Sequence, residues 1–108
     1  MKRLRCLALV IGINEYHTDK WKPLSYAIKD AEAVASKFAE LRYEVEKYTN
    51  ITSKDLVDIK DNILAKIYQK YDAFIFFFAG HGTIANASDC LLLSDVEDKE
   101  ETRINYVQ

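Results

Sequence analysis

The sequence predicts an α/β fold with a mainly parallel sheet and helices on both faces. Two continuously apolar, β-rich runs, residues 6–13 (CLALVIGI) and 72–80 (DAFIFFFAG), have the character of strands covered on both sides. Two stretches between them place apolar residues at helical spacing. The resulting order, strand-helix-strand-helix-strand, has helical segments long enough to return the chain to the start of a parallel neighbour.

The elements follow in order. After the first strand, residues 14–23 (NEYHTDKWKP) form a polar loop. Leu24, Ala27, Ile28, Ala31, Val34, Ala35, Phe38 and Leu41 then mark an amphipathic helix, with Pro23 near its start. Residues 43–49 (YEVEKYT) alternate as a half-exposed strand does. Thr52 or Ser53, with Asp55 in the first turn, caps a second helix whose stripe is Leu56, Ile59, Ile63, Leu64 and Ile67. The aromatic run at 72–80 is the next buried strand. A Gly-His-Gly loop follows, residues 90–95 (CLLLSD) make a short further strand, and 96–103 (VEDKEETR) read as a solvated acidic turn. No repeat, low-complexity tract or linker divides the 108 residues, which suit a single domain.

Composition narrows the function. Fifteen basic and seventeen acidic residues leave a net charge of −2, with the basic residues scattered rather than striped, so no nucleic-acid partner is expected. The basic start and short apolar run imitate a signal peptide, but the run passes into NEYH without a small-residue cleavage site and is too short to span a bilayer. No membrane partner is expected. Cys6 and Cys90 lie in apolar runs, where a thiol packs as a small hydrophobe. A reducing, cytoplasmic setting fits them, and there the sequons at Asn50 and Asn86 carry no weight.

In a parallel sheet, ligands gather beyond the carboxyl ends of the strands, where the first-strand loop and the Gly-His-Gly loop both lie. Neither GxxxxGK[ST] nor GxGxxG follows the first strand, which excludes the common phosphate and dinucleotide loops. A receiver layout would want acidic residues where Ile13-Asn14 stand and an aspartate where Gly80-His81 stand. His81 admits two readings. It is either a loop histidine bonded locally or, beside the unobstructed N–H of Gly82, an acid or base next to half of an oxyanion hole. Asp30 is likewise either a carboxylate favoured early in a helix or a pocket residue able to pair with a guanidinium.

Taken together, ALVIGINEY, LSYAIKDAEAVASKF, LRYEVEKYTNIT, DAFIFFFAGHGT and DCLLLSD resemble the front part of a caspase-like cysteine peptidase, of the metacaspase and bacterial caspase-homologue branch. The resemblance covers nearly the whole chain. It implies a caspase-hemoglobinase-like sheet, incomplete here, in which His81 matches the catalytic histidine and Gly82 the amide that helps hold the oxyanion. It also implies a protein or peptide substrate. Relatives that cut after Arg or Lys have an aspartate at the position of Asp30 in the primary specificity pocket. True caspases carry an arginine about where Leu24 stands, so a basic P1 residue is expected.

The nucleophile is missing. A caspase cysteine follows the histidine by roughly 50 residues, beyond Gln108. Cys90 lies in a core strand and Cys6 opens the first one. Residues 1–108 are therefore expected to be either the N-terminal portion of one catalytic domain, inert until the remainder brings the cysteine, or a degenerate homologue acting as a non-catalytic interaction module. The ending INYVQ, which reads as the opening of another segment, favours the fragment. Some relatives use calcium, but SDVEDKEE reads as a solvated turn, and no metal or cofactor is assigned.

Overall fold

Strand β1 (Cys6–Gly12) runs through the middle of a three-stranded parallel sheet, between β2 (Glu44–Thr49) and β3 (Ala73–Ala79). The computed structural model describes residues 4–85, 88–96 and 104–105. Successive side chains of a strand point to opposite faces, and here the two faces have different partners. Leu7, Leu9 and Ile11 pack with Ile59 and Ile63 of helix α2 (Ser53–Lys70), while Ala8 and Val10 pack with Ala31 and Ala35 of helix α1 (Ala27–Glu40). The expected helices on both faces are thus present. Leu7, Val10 and Ile11 are at most 1% exposed, and full burial of such side chains stabilises the fold by roughly 1.5–3 kcal/mol each.

The α1 face is closed by small residues. A Cβ on Gly12 would lie 2.8 Å from the Ala31 Cβ and 3.0 Å from the Ala27 carbonyl oxygen, so the helix can approach β1 this closely only over a glycine. The helix begins at Ala27, three residues later than the apolar pattern from Leu24 suggested. Asn14 accounts for the delay. Its carbonyl accepts the Leu24 N–H and its side-chain oxygen accepts the Ile28 N–H in the first turn, holding residues 24–26 outside the helix. Helix α2 starts as its sequence predicts, with a reciprocal capping box between Thr52 and Asp55.

Two expectations are corrected. The aromatic run forms β3 but is not buried as expected: Phe74 and Phe76 are 39% and 44% exposed, because among the described residues β3 pairs only with β1. Beside them an apolar groove of about 320 Å³ lies open between β3 and α2, lined in part by Leu9, Ile63, Leu64 and Ile67. Second, the chain after His81 is a strand rather than a loop. β4 (Gly82–Ala85) pairs antiparallel with β5 (Ser88–Leu91), which pairs with β6 (Ile104–Asn105) in a second sheet. Of CLLLSD, only Cys90 and Leu91 belong to the strand. Leu92, Leu93 and Ser94 are irregular yet at most 1% exposed. The expected acidic turn falls mostly on residues 97–103, outside the described residues, as do residues 106–108 of INYVQ.

Candidate active site

The strand order β2-β1-β3 places the loops after β1 and β3 side by side at the carboxyl edge of the sheet. From β1 the chain goes first to one neighbour and then to the other, which makes this edge the topological switch point. Ladder bonds continue past the strands there, from Ile13 N–H to the Ala79 carbonyl (2.9 Å) and from Asn50 N–H to the Gly12 carbonyl (2.9 Å). Asn50 is in the left-handed region, at φ 50°, which Asn tolerates better than most residues. Its Oδ1 accepts the N–H groups of Asn14 and Glu15 at 2.9 and 3.1 Å and so fixes the course of the first loop.

That loop surrounds His81. The ring lies against Tyr16 and Trp21, with centroids 5.0 and 5.7 Å away, and its Nε2 is 2.8 Å from the carbonyl oxygen of Lys22. A carbonyl only accepts, so this contact is a hydrogen bond when Nε2 carries the proton, which leaves the Nδ1 lone pair of the neutral ring available. The indole Nε1 of Trp21 is buried and has no hydrogen-bond partner among the described residues. A Cβ on Gly80, before the histidine, would fall 2.9 Å from both the Tyr16 hydroxyl and the Phe78 ring, so a side chain there requires one of these rings to shift.

Segment 92–96 closes the edge from the other side. Leu92 N–H donates to the His81 carbonyl (3.0 Å), His17 N–H to the Ser94 carbonyl (2.8 Å), and Ser94 N–H and Oγ both to the Ile51 carbonyl (3.0 and 2.8 Å). Asp95 receives the N–H and hydroxyl of Ser53 at 2.9 and 2.6 Å, at the start of α2. The bond from Leu92 to His81 also sets the direction of Gly82. In an antiparallel ladder, hydrogen-bonded and non-hydrogen-bonded pairs alternate. His81 faces Leu92 in a bonded pair, so the next pair, Gly82 with Leu91, is non-bonded, and the Gly82 N–H points away from β5.

Asp30 stands in the first turn of α1, with its carboxylate exposed and its N–H donating to the Tyr26 carbonyl at 2.8 Å. The Asn14 bond to Ile28 ties that turn to the first loop, while the hydrogen bonds and ion pairs among the described residues include none between Asp30 and His81. Cys90 lies next to the histidine loop, opposite Thr83 in the β4–β5 ladder and two residues before Leu92. Cys90 is 1% exposed within β5, and Cys6 opens β1 at the opposite end of the sheet, six strand steps or roughly 20 Å from Gly12. Among the described residues no three His, Cys, Asp or Glu side chains are grouped as a metal site would need, and no helix is long and apolar enough to cross a membrane.

A parallel sheet with a histidine held at its switch point is the setting in which the comparisons with known proteins are informative. The family model described as the caspase domain matches residues 5–105. The chain belongs to the caspase-domain family. The structure of the Drosophila initiator caspase Dronc matches with a TM-score of 0.73 at 19% identity, over 83% of this chain and 35% of the Dronc chain. The caspase-domain chain thus has the caspase fold and spans about a third of the length of that solved relative. No curated protein matches it in sequence.

Sequence reasoning found the histidine loop and missed most of what holds it. Tyr16, Trp21 and the Lys22 carbonyl all lie in a stretch that reads only as a polar loop. The available signal was two aromatic residues within NEYHTDKWKP, too many for a loop that merely faces water.

Proposed function

We propose that this chain is the histidine-bearing part of a caspase-like cysteine endopeptidase, with the nucleophilic cysteine supplied by residues other than these 108. The observation that carries the reading is the pairing at one edge of an imidazole anchored through Nε2 to the Lys22 carbonyl and a Gly82 N–H turned away from its ladder. In this reading a cysteine gives its thiol proton to Nδ1 of His81, and the thiolate attacks the scissile carbonyl. The carbonyl π electrons move onto oxygen, and the Gly82 N–H, with the N–H of the cysteine itself, stabilises the oxyanion. As that intermediate collapses, His81 returns the proton to the leaving amine. It then takes a proton from water, which attacks the thioester and releases the acid and the thiol.

Asp30 is proposed as the acidic residue that receives Arg or Lys at P1. Its carboxylate is exposed near the first loop and free of ion pairs among the described residues, which is compatible with recruiting a substrate cation. The remainder of the catalytic domain is proposed to cover the open side of β3, where exposed Phe74 and Phe76 and the apolar groove offer a surface to pack on.

A second reading, a non-catalytic interaction module, draws on the burial of Cys90 and on the place of Cys6 at the opposite end of the sheet from His81. One assay separates the two. The full-length gene product is tested on fluorogenic peptides ending in Arg, Lys or Asp, beside His81→Ala and Asp30→Asn. The peptidase reading expects cleavage after Arg or Lys that disappears in His81→Ala and weakens in Asp30→Asn, mainly through KM. Cleavage that survives His81→Ala would sink the role of the histidine, and preference for Asp would sink that of Asp30. A wild-type protein inert on all three supports the interaction module.

A further inference from the structure

One rung of the ladder around His81 is not made directly. Leu92 N–H reaches the His81 carbonyl at 3.0 Å, and a regular bonded pair would return a bond from His81 N–H to the Leu92 carbonyl. The Tyr16 hydroxyl stands in its place. It accepts the His81 N–H at 2.7 Å and donates to the Leu92 carbonyl at 3.3 Å. Both halves of the hydroxyl are therefore used, a role that phenylalanine cannot fill. Burial pushes the Tyr16 pKa up, against the smaller opposing pull of the His81 amide, so the O–H stays protonated and able to donate.

The surroundings fit the hydroxyl closely. Gly80 leaves out the Cβ that would fall 2.9 Å from it. The same tyrosine lays its ring against the imidazole, with centroids 5.0 Å apart. Tyr16 thus touches His81 at the main chain and at the ring, and through Leu92 it sets the spacing of the two strands where the chain enters Gly82.

We propose that Tyr16 is a positioning residue, whose hydroxyl bridge between His81 N–H and the Leu92 carbonyl holds the imidazole and the Gly82 amide in the relative placement that acyl transfer needs. This rests on the peptidase reading above. The hydroxyl takes no part in the bond changes. It acts through His81, by removing alternative conformations of the loop that carries it.

The test compares Tyr16→Phe with Ser94→Ala in the full-length gene product. Ser94 also gives a buried hydroxyl bond to this edge, to the Ile51 carbonyl, but touches neither His81 nor Gly82. In Tyr16→Phe, amide exchange at His81 is expected to quicken about tenfold or more, and kcat to fall about tenfold with KM within about twofold, as the loss of one well-placed hydrogen bond implies. Ser94→Ala is expected to lower stability comparably while leaving His81 exchange and kcat near wild type. Unchanged exchange at His81 in Tyr16→Phe, or a kcat no lower than in Ser94→Ala, would overturn the proposal. If the wild-type protein cleaves nothing, the peptidase reading fails by itself. Exchange at the His81 amide and the 15N shifts of its ring then decide whether the bridge holds the loop.

Discussion

The two ends of the parallel sheet are tied together in different ways. At the amino end the ties are charged and exposed. Arg5 pairs with Glu44 at 2.7 Å and lies over the Tyr71 ring, Tyr71 donates to Glu44, and the Arg5 N–H donates to Asp72. At the carboxyl end the ties are short-range bonds between side chains and main chain: Asn14 to Ile28, Asn50 to the first loop, Tyr16 to His81 and Ser94 to Ile51. Exposed ion pairs hold strands together weakly and tolerate motion. Side-chain caps on buried main chain fix loops in a single conformation, because each lost partner leaves a desolvated N–H or C=O. The end that carries the candidate site is the one built from directional contacts, most of them part-buried.

Substitutions at each end test that contrast. Gly12→Val should have the largest effect, since its Cβ would meet Ala31 and the α1 backbone at 2.8–3.0 Å. Overpacking of this kind costs roughly 1–3 kcal/mol or more, read as a lower midpoint in urea denaturation. A midpoint near wild type would show that α1 can move off β1, and that the carboxyl end is less rigid than its bonds imply. Asn50→Ala should come next, with a loss of about 2 kcal/mol, as two N–H groups lose their acceptor and a left-handed φ is left to alanine. Asn50→Gly relieves only the backbone part, so the difference between the two variants measures the strain.

The smallest effect belongs to the amino end and is best read against pH. The Tyr71 hydroxyl and, after it, the Arg5 guanidinium hold the Glu44 carboxyl below its ordinary value of 4.5. A lowered folded pKa contributes stability that is present above that ordinary value and is lost as pH falls through the lower folded one. Tyr71 is shifted upward by Glu44, so its contribution is present below 10 and fades as pH rises through its folded value. Glu44→Gln should therefore flatten the acid side of the melting temperature profile slightly and raise its insensitivity to salt. A large loss of stability at neutral pH would contradict the assignment of weak, screened ties to this end.

Much of this architecture was legible in the sequence. The run at 6–13, the helical stripes and the Thr52 cap are local or periodic signals, and burial on two faces leaves its mark on every residue of a central strand. His81 was legible too, because a histidine between glycines at the end of an apolar strand is rare enough to draw attention. Sequence pattern was enough for the order of the first five elements and for the family, and it pointed to the carboxyl edge as the place to expect chemistry. The packing of the chain set the rest: Asn14 delays α1, the aromatic run stands at an open edge, Gly82 begins a strand with its N–H turned outward, and Tyr16, 65 residues away, holds the histidine. These are contacts between segments distant in the chain. No period or propensity encodes them, since each depends on which loops the sheet order brings together.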